Sequence, residues 1–237
     1  MKNSGNIITQ FSTVYPLLVG LYDGEFTVED LMAAGTFGLG CSHGIDGELI
    51  LLNGECLVAR NGQPMKKMAP SDRVPFAQVA TCPSFDIKEV HDIDKTKLED
   101  VLVSLAASKN MFIGLRLTGK FESIKLRRPP ILSKPYKPLI EIIQHQEEET
   151  INNCEGTLLG FWAPKEFQGL TVAGLHVHFI SVARDHGGHV LDFNLSAGKL
   201  EYAICDQFMI RVPTSKAYRD ADLTYENMDA HIKEAEG

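Results

Sequence analysis

The run Leu175-His176-Val177-His178-Phe179-Ile180 carries two imidazoles two residues apart. On a β-strand successive side chains alternate faces, so His176 and His178 stand side by side while Val177 and Phe179 turn the other way into apolar packing. Asp185-His186-Gly187-Gly188 has the composition of a turn. His189-Val190-Leu191-Asp192-Phe193 reads as the returning strand, which brings His189 back opposite the pair. Three neutral nitrogen donors on one face describe a catalytic metal site with a coordination position left for water or substrate. A lone strand histidine is more often a hydrogen-bonded core or surface residue. Here four of the chain's eight histidines fall in one window, and that clustering carries the metal reading. His186 sits in the turn and is the bystander, able to substitute if the hairpin register is shifted.

Other side chains with chemical capacity stand at strand ends. Glu48 opens the run Glu48-Leu49-Ile50-Leu51-Leu52; taken alone, such a glutamate is more often a solvated edge residue than a functional one. Arg127 and Arg128 end an alternating segment just before Pro129-Pro130. Paired arginines there usually face solvent, yet a planar guanidinium is also the side chain best suited to grip a carboxylate. The glycines of Gly35-Thr36-Phe37-Gly38-Leu39-Gly40 let another backbone or a ligand come close. No helix opening with a phosphate-binding Lys-Ser/Thr follows them, so a nucleotide loop is set aside.

The elements that must position these groups belong to a soluble globular chain. At 237 residues, with 44% hydrophobic and 23% charged residues, it has the material for one large domain or two small ones. Against 31 acidic side chains stand 23 basic ones, a net charge of -8 that argues against a nucleic-acid or anionic-membrane partner and favours a small molecule. Cys41, Cys56, Cys82, Cys154 and Cys205 are spread without a Cys-x-x-Cys pair and read as thiols in a reducing compartment. With no signal-like apolar run near Met1, the expected location is the cytoplasm.

Thr27 and Asp30 have capping-box spacing and predict a helix over 27–35. Asn53-Gly54 between apolar runs is the strongest hairpin signal, joining strands within 46–60. A second helix opens at Thr96. Residues 111–117 and 121–127 alternate as strands around an expected tight turn at Thr118-Gly119-Lys120, and Glu147-Glu148-Glu149 reads as a solvated turn. Segments 199–204 and 207–212 read as further strands, and 227–236 as a polar terminal helix. The stretch from Pro129 to Pro138 holds four of the eleven prolines and is the best candidate boundary, giving an N-terminal lobe at 1–130 and a C-terminal lobe with the histidine hairpin at 131–237.

Taken together, Gly35 to Gly40, Asp46-Gly47-Glu48-Leu49, the run from Arg127 to Leu139 with Pro135-Tyr136-Lys137-Pro138, Gly156-Thr157-Leu158-Leu159-Gly160-Phe161-Trp162, His176-Val177-His178-Phe179 and Gly187-Gly188-His189-Val190-Leu191-Asp192-Phe193 resemble the alpha-acetolactate decarboxylases. The likeness covers nearly the whole chain. It implies an α/β fold of the α+β type, with two lobes built on mixed, largely antiparallel sheets, a few flanking helices and the metal site between the lobes. It further implies a homodimer of acetoin and butanediol formation that converts 2-acetolactate to acetoin and carbon dioxide with Zn2+.

By motif, the zinc ligands correspond to His176, His178 and His189, while Glu48 and Arg127 line the site. A tail glutamate also belongs there in the family: Glu236 by its spacing from Ile232, with Glu234 as the alternative. Cys41 stands where the family has a threonine. In chemical terms the metal is the Lewis acid and electron sink for an enediolate, Arg127 orients the leaving carboxylate, and Glu48 returns the proton. The same three ligands also suit a zinc-hydroxide hydrolase or hydratase acting on a small polar substrate. A purely structural zinc normally has four protein ligands, often cysteines.

Overall fold

The computed structural model describes residues 5–224, 230 and 232. Eight strands precede residue 82: β1 (Ile7–Phe11), β2 (Phe26–Thr27), β3 (Phe37–Cys41), β4 (Glu48–Leu52), β5 (Glu55–Ala59), β6 (Lys66–Lys67), β7 (Arg73–Val74) and β8 (Phe76–Thr81). Six follow: β9 (Asp86–Asp94), β10 (Phe112–Arg128), β11 (Glu147–Ala163), β12 (Gly174–Ser181), β13 (Gly187–Cys205) and β14 (Gln207–Arg211). The α-helices are short, comprising α1 (Tyr15–Leu18), α2 (Val28–Ala34), α3 (Lys95–Ala106), α4 (Leu139–Ile143) and α5 (Lys216–Asp220). Among the described residues no helix is long and apolar enough to cross a membrane.

Local chemistry explains the first elements. Thr27 and Asp30 form the reciprocal capping box that starts α2. Asn53 and Gly54 take φ of 52° and 76°, the left-handed pair that turns β4 into β5. These strands belong to a mixed seven-stranded sheet in the order β14-β1-β8-β3-β4-β5-β6, antiparallel except where β14 runs parallel to β1. The second sheet, β10-β11-β12-β13-β9, is antiparallel and closes on itself, because β13 pairs with β12 at 187–189 and with β10 along most of its length.

One core lies inside the second sheet, where Leu98 and Leu102 of α3 pack on Leu115, Val177, Phe179 and Phe193. Another fills the space between the sheets, joining Phe37 and Leu39 to Leu159 and Phe161. A third, with Phe11, Leu31 and Leu49, covers the α2 side of the first sheet.

The longer elements depart from the sequence expectation. No turn interrupts 118–120: β10 runs straight through, with Gly119 opposite both Gly156 and Gly198. A Cβ on Gly119 would lie 2.3 Å from the Ala197 carbonyl oxygen, so this glycine permits close strand approach rather than a reversal. The acids at 147–149 open β11 instead of forming a turn, held by Lys125 on Glu148 and Arg128 on Glu149. The strands expected at 189–193 and 199–204 are one continuous β13. In α3 the cap is Asp94, whose side chain accepts from the Lys97 N–H, so the helix starts before Thr96.

The division at residue 130 does not coincide with the sheets. Segment 129–138 links β10 to α4 and β11 while both strands stay in the second sheet, and β14 returns to the first. That segment is fastened beside the first sheet, where the Tyr22 hydroxyl donates to the Lys137 carbonyl at 3.0 Å and Lys134 pairs with Asp23 at 2.6 Å. Of the helix expected over 227–236, Ala230 and Ile232 are described and helical, and Ile232 is buried.

Candidate metal centre

β12 alternates as its sequence requires. Val177 and Phe179 enter the second sheet's own core, while His176 and His178 turn toward the first sheet. His178 lies directly opposite His189 of β13, so the two share a face. Candidate ligand atoms of His176, His178 and His189 all lie within 4.8 Å of one another, and all three residues are buried. Their ring centroids are 5.2 to 5.6 Å apart.

A backbone carbonyl sets the tautomer of one ring. The Leu49 oxygen of β4 can only accept, so His178 Nδ1–H donates to it at 2.9 Å and Nε2 keeps its lone pair for a ligand. Burial, with the positive charges of Arg127 and Lys95 adding, pushes His176 down to about 3, which leaves this imidazole neutral at ordinary pH. Three buried, clustered and partly pre-oriented imidazoles fit a divalent transition metal.

A register fault brings the arginine to the same face. Down most of the β10–β13 ladder the pairing is regular, with Lys125 opposite Asp192, but Leu126 faces Val190 and Arg127 faces His189. Leu191 is therefore the extra residue of a β-bulge, and Lys95 at the start of α3 donates to its carbonyl at 3.4 Å. Were Leu191 paired in the regular register instead, Arg127 would face Val190, one step out of phase with the histidines. As built, Arg127 is buried and lines the same cavity as the triad.

The first sheet supplies the other wall. Glu48 begins β4 opposite Cys41 of β3, and its Oε2 lies 3.5 Å from His178 Nε2. The cavity between them opens to solvent and, with its mouth included, offers about 660 Å³ of space. Apolar side chains complete it, including Leu17, Ile45, Phe76, Leu139, Ile142 and Val172. Ile232 packs in the same apolar cluster as Leu17, Ile142 and Val172.

The structure thus brings together His176, His178, His189, Glu48 and Arg127. His186 stands outside, half-exposed, with Nδ1 3.1 Å from Glu149. Arg128, the neighbour in the pair, points elsewhere: its Nε donates to the Gly187 carbonyl at 2.7 Å and its guanidinium holds Glu149. Glu234 and Glu236 lie outside the described residues. Sequence reasoning missed the apolar wall, the Leu49 carbonyl and Lys95, since each meets the site across a long sequence separation and none has a local pattern.

Comparison with known proteins places these features. The sequence profile described as alpha-acetolactate decarboxylase matches residues 8–225. The chain is 37% identical to the alpha-acetolactate decarboxylase of Methylococcus capsulatus, over 97% of its own length and 88% of the relative's. It is 34% identical to that of Lactococcus lactis subsp. cremoris, covering 96% and 97% respectively. Among solved structures, alpha-acetolactate decarboxylase from Bacillus subtilis strain 168 superposes with a TM-score of 0.94 at 30% identity, covering 98% of this chain and 99% of that one.

Proposed function

The chain belongs to the alpha-acetolactate decarboxylase family, and on that premise we propose that it converts 2-acetolactate to acetoin and carbon dioxide using zinc held by His176, His178 and His189. The observation that carries the zinc reading is the convergence of three buried imidazoles on a cavity that also receives one carboxylate and one guanidinium. A zinc ion bound there supplies Lewis-acid stabilisation of negative charge on the substrate's oxygens, on the order of several kcal/mol.

The protein's own groups account for the remaining steps. Arg127 is the cationic side chain on the triad's face, and its fork grips the substrate carboxylate and orients the bond that breaks. As that bond breaks, its electron pair passes to the carbon and is taken up by the neighbouring ketone. Glu48 then delivers a proton from its carboxyl to that carbon, so one proton enters as carbon dioxide leaves, and solvent restores the acid. Apolar side chains around the cavity exclude water and keep the local dielectric low, which strengthens both electrostatic contacts. The reading also keeps Glu236, or Glu234, as the tail glutamate that the family likeness assigns to the site.

The decisive experiment incubates metal-stripped protein with acetolactate, with and without added zinc, and measures acetoin. Acetoin formation restored by zinc supports the reading; a folded, zinc-loaded protein that makes none overturns it. The five thiols, none in a disulfide, suit the cytoplasm. A homodimer rests on the family likeness, and light scattering tests it.

A further inference from the structure

Two of the five cysteines are neighbours across the sheets. Cys82 follows β8 in the first sheet, and Cys205 ends β13 in the second. They meet beside Gly114, where a Cβ would lie 3.8 Å from each sulfur. Cys205 lies in the core between the sheets, its thiol donating to the Ala203 carbonyl at 3.6 Å, and Cys82 packs against that core. Cys82 is partly exposed and Cys205 buried, so an oxidant reaches the first sulfur while the second waits behind it.

The surroundings differentiate Cys82 from the other thiols, including Cys205, whose own titration is pushed up by its Cys82 neighbour and by burial. Arg116 places a positive charge near Cys82; its guanidinium stacks 4.4 Å from the centre of the Phe85 ring and pairs with Glu201 at 3.3 Å. The neighbouring Cys205 thiol, with Arg116 adding, holds the Cys82 thiol below its ordinary range. Burial instead pushes Cys56 up to about 12 and raises Cys154. A reachable sulfur with thiolate character beside a buried second thiol is the arrangement that converts oxidation into a disulfide rather than into higher oxides.

We propose that Cys82 and Cys205 form a reversible disulfide when the protein meets hydrogen peroxide, a modification separate from the decarboxylation chemistry. The Cys82 thiolate attacks one peroxide oxygen: an S–O bond forms, the O–O bond breaks, and the departing hydroxide takes a proton to become water. Cys205 then attacks the resulting sulfenic acid, the S–S bond replaces the S–O bond, and a second water leaves with the Cys205 proton. Two thiols yield one disulfide, and two electrons pass to the peroxide. The bond would tie the two sheets together at the Gly114 end of β10, opposite the end that carries Arg127.

The test treats the full zinc-loaded protein with equimolar peroxide, blocks remaining thiols with N-ethylmaleimide and maps tryptic peptides by mass. The expected product is a Cys82–Cys205 cross-linked peptide, two hydrogens lighter than the sum of its parts and removed by dithiothreitol. Cys82→Ser should abolish it while leaving decarboxylation unchanged. Cys205→Ser should leave a Cys82 sulfenic acid that dimedone captures. If Cys205→Ser does not fold, the wild-type peptide map decides alone. Wild-type protein in which Cys82 stays reduced, or goes on to sulfinic acid without joining Cys205, overturns the proposal.

Discussion

On the proposed mechanism Glu48 and Arg127 serve different moments of the reaction, so their replacements should separate kinetically. Glu48→Gln keeps the shape but loses the deliverable proton, and kcat should fall by about 10²- to 10⁴-fold with zinc content unchanged. Wild-type turnover would remove Glu48 from the acid role. Arg127→Ala should lower kcat/KM by at least about tenfold, as expected for loss of a charge-assisted contact, again with zinc retained. His176 makes a pH prediction. Its folded value of about 3 lies below the ordinary imidazole range near 6.5, so between those limits the unfolded chain takes up a proton that the folded one refuses. The stabilising contribution is complete above that range and is lost as pH falls toward 3. Urea midpoints of metal-free protein should therefore drop from pH 7 to pH 5, by up to about 1.4 kcal/mol per pH unit from this residue. A midpoint unmoved in wild type, or moved equally in His176→Leu, would argue against a buried neutral ring. At this scale the histidines were legible because strand alternation is local. The burial of Arg127 was not, because a pair of arginines before two prolines looks the same whether it faces water or a cavity.

Elements carried a second, less readable layer. The capping box at Thr27 and the Asn53-Gly54 turn are complete within a few residues, and both formed where the pattern put them. Gly119 read as a turn because a glycine between two alternating runs usually is one. Its actual role, letting Gly156 and Gly198 approach on either side, depends on strands far along the chain. The Leu191 bulge is similar: nothing in His189 to Phe193 marks one residue as unpaired, yet that residue sets which side chain faces Arg127. Deleting Leu191 should restore a regular ladder that keeps Leu126 opposite Val190 and Arg127 opposite His189 on the shared face. Zinc affinity and kcat/KM should then stay within about tenfold of wild type, while circular dichroism keeps its strand signal. Loss of zinc binding in the deletion variant would mean that the bulge itself, with the Lys95 contact to the Leu191 carbonyl, shapes the site.

Across the whole molecule, the site depends on two sheets meeting, and the chain passes between them twice, after β8 and again between β13 and β14. The proline-rich segment marked a change in direction but not a change of sheet, which is why composition alone suggested a division at 130 that the strands do not follow. Because β14 pairs along all of β1, ending the chain after Cys205 should strip that flank of its partner. Such a truncation is expected to precipitate or to unfold at lower urea than the full chain; an equally stable, soluble product would count against a structural need for β14. The late return of β14 also bears on birth order. During synthesis β1 leaves the ribosome before any strand of the other sheet, yet its parallel neighbour is made only after all of them. One flank of the nascent sheet stays open while the whole of the other sheet is made, and it is this interval, more than the finished enzyme, that a chaperone would have to guard.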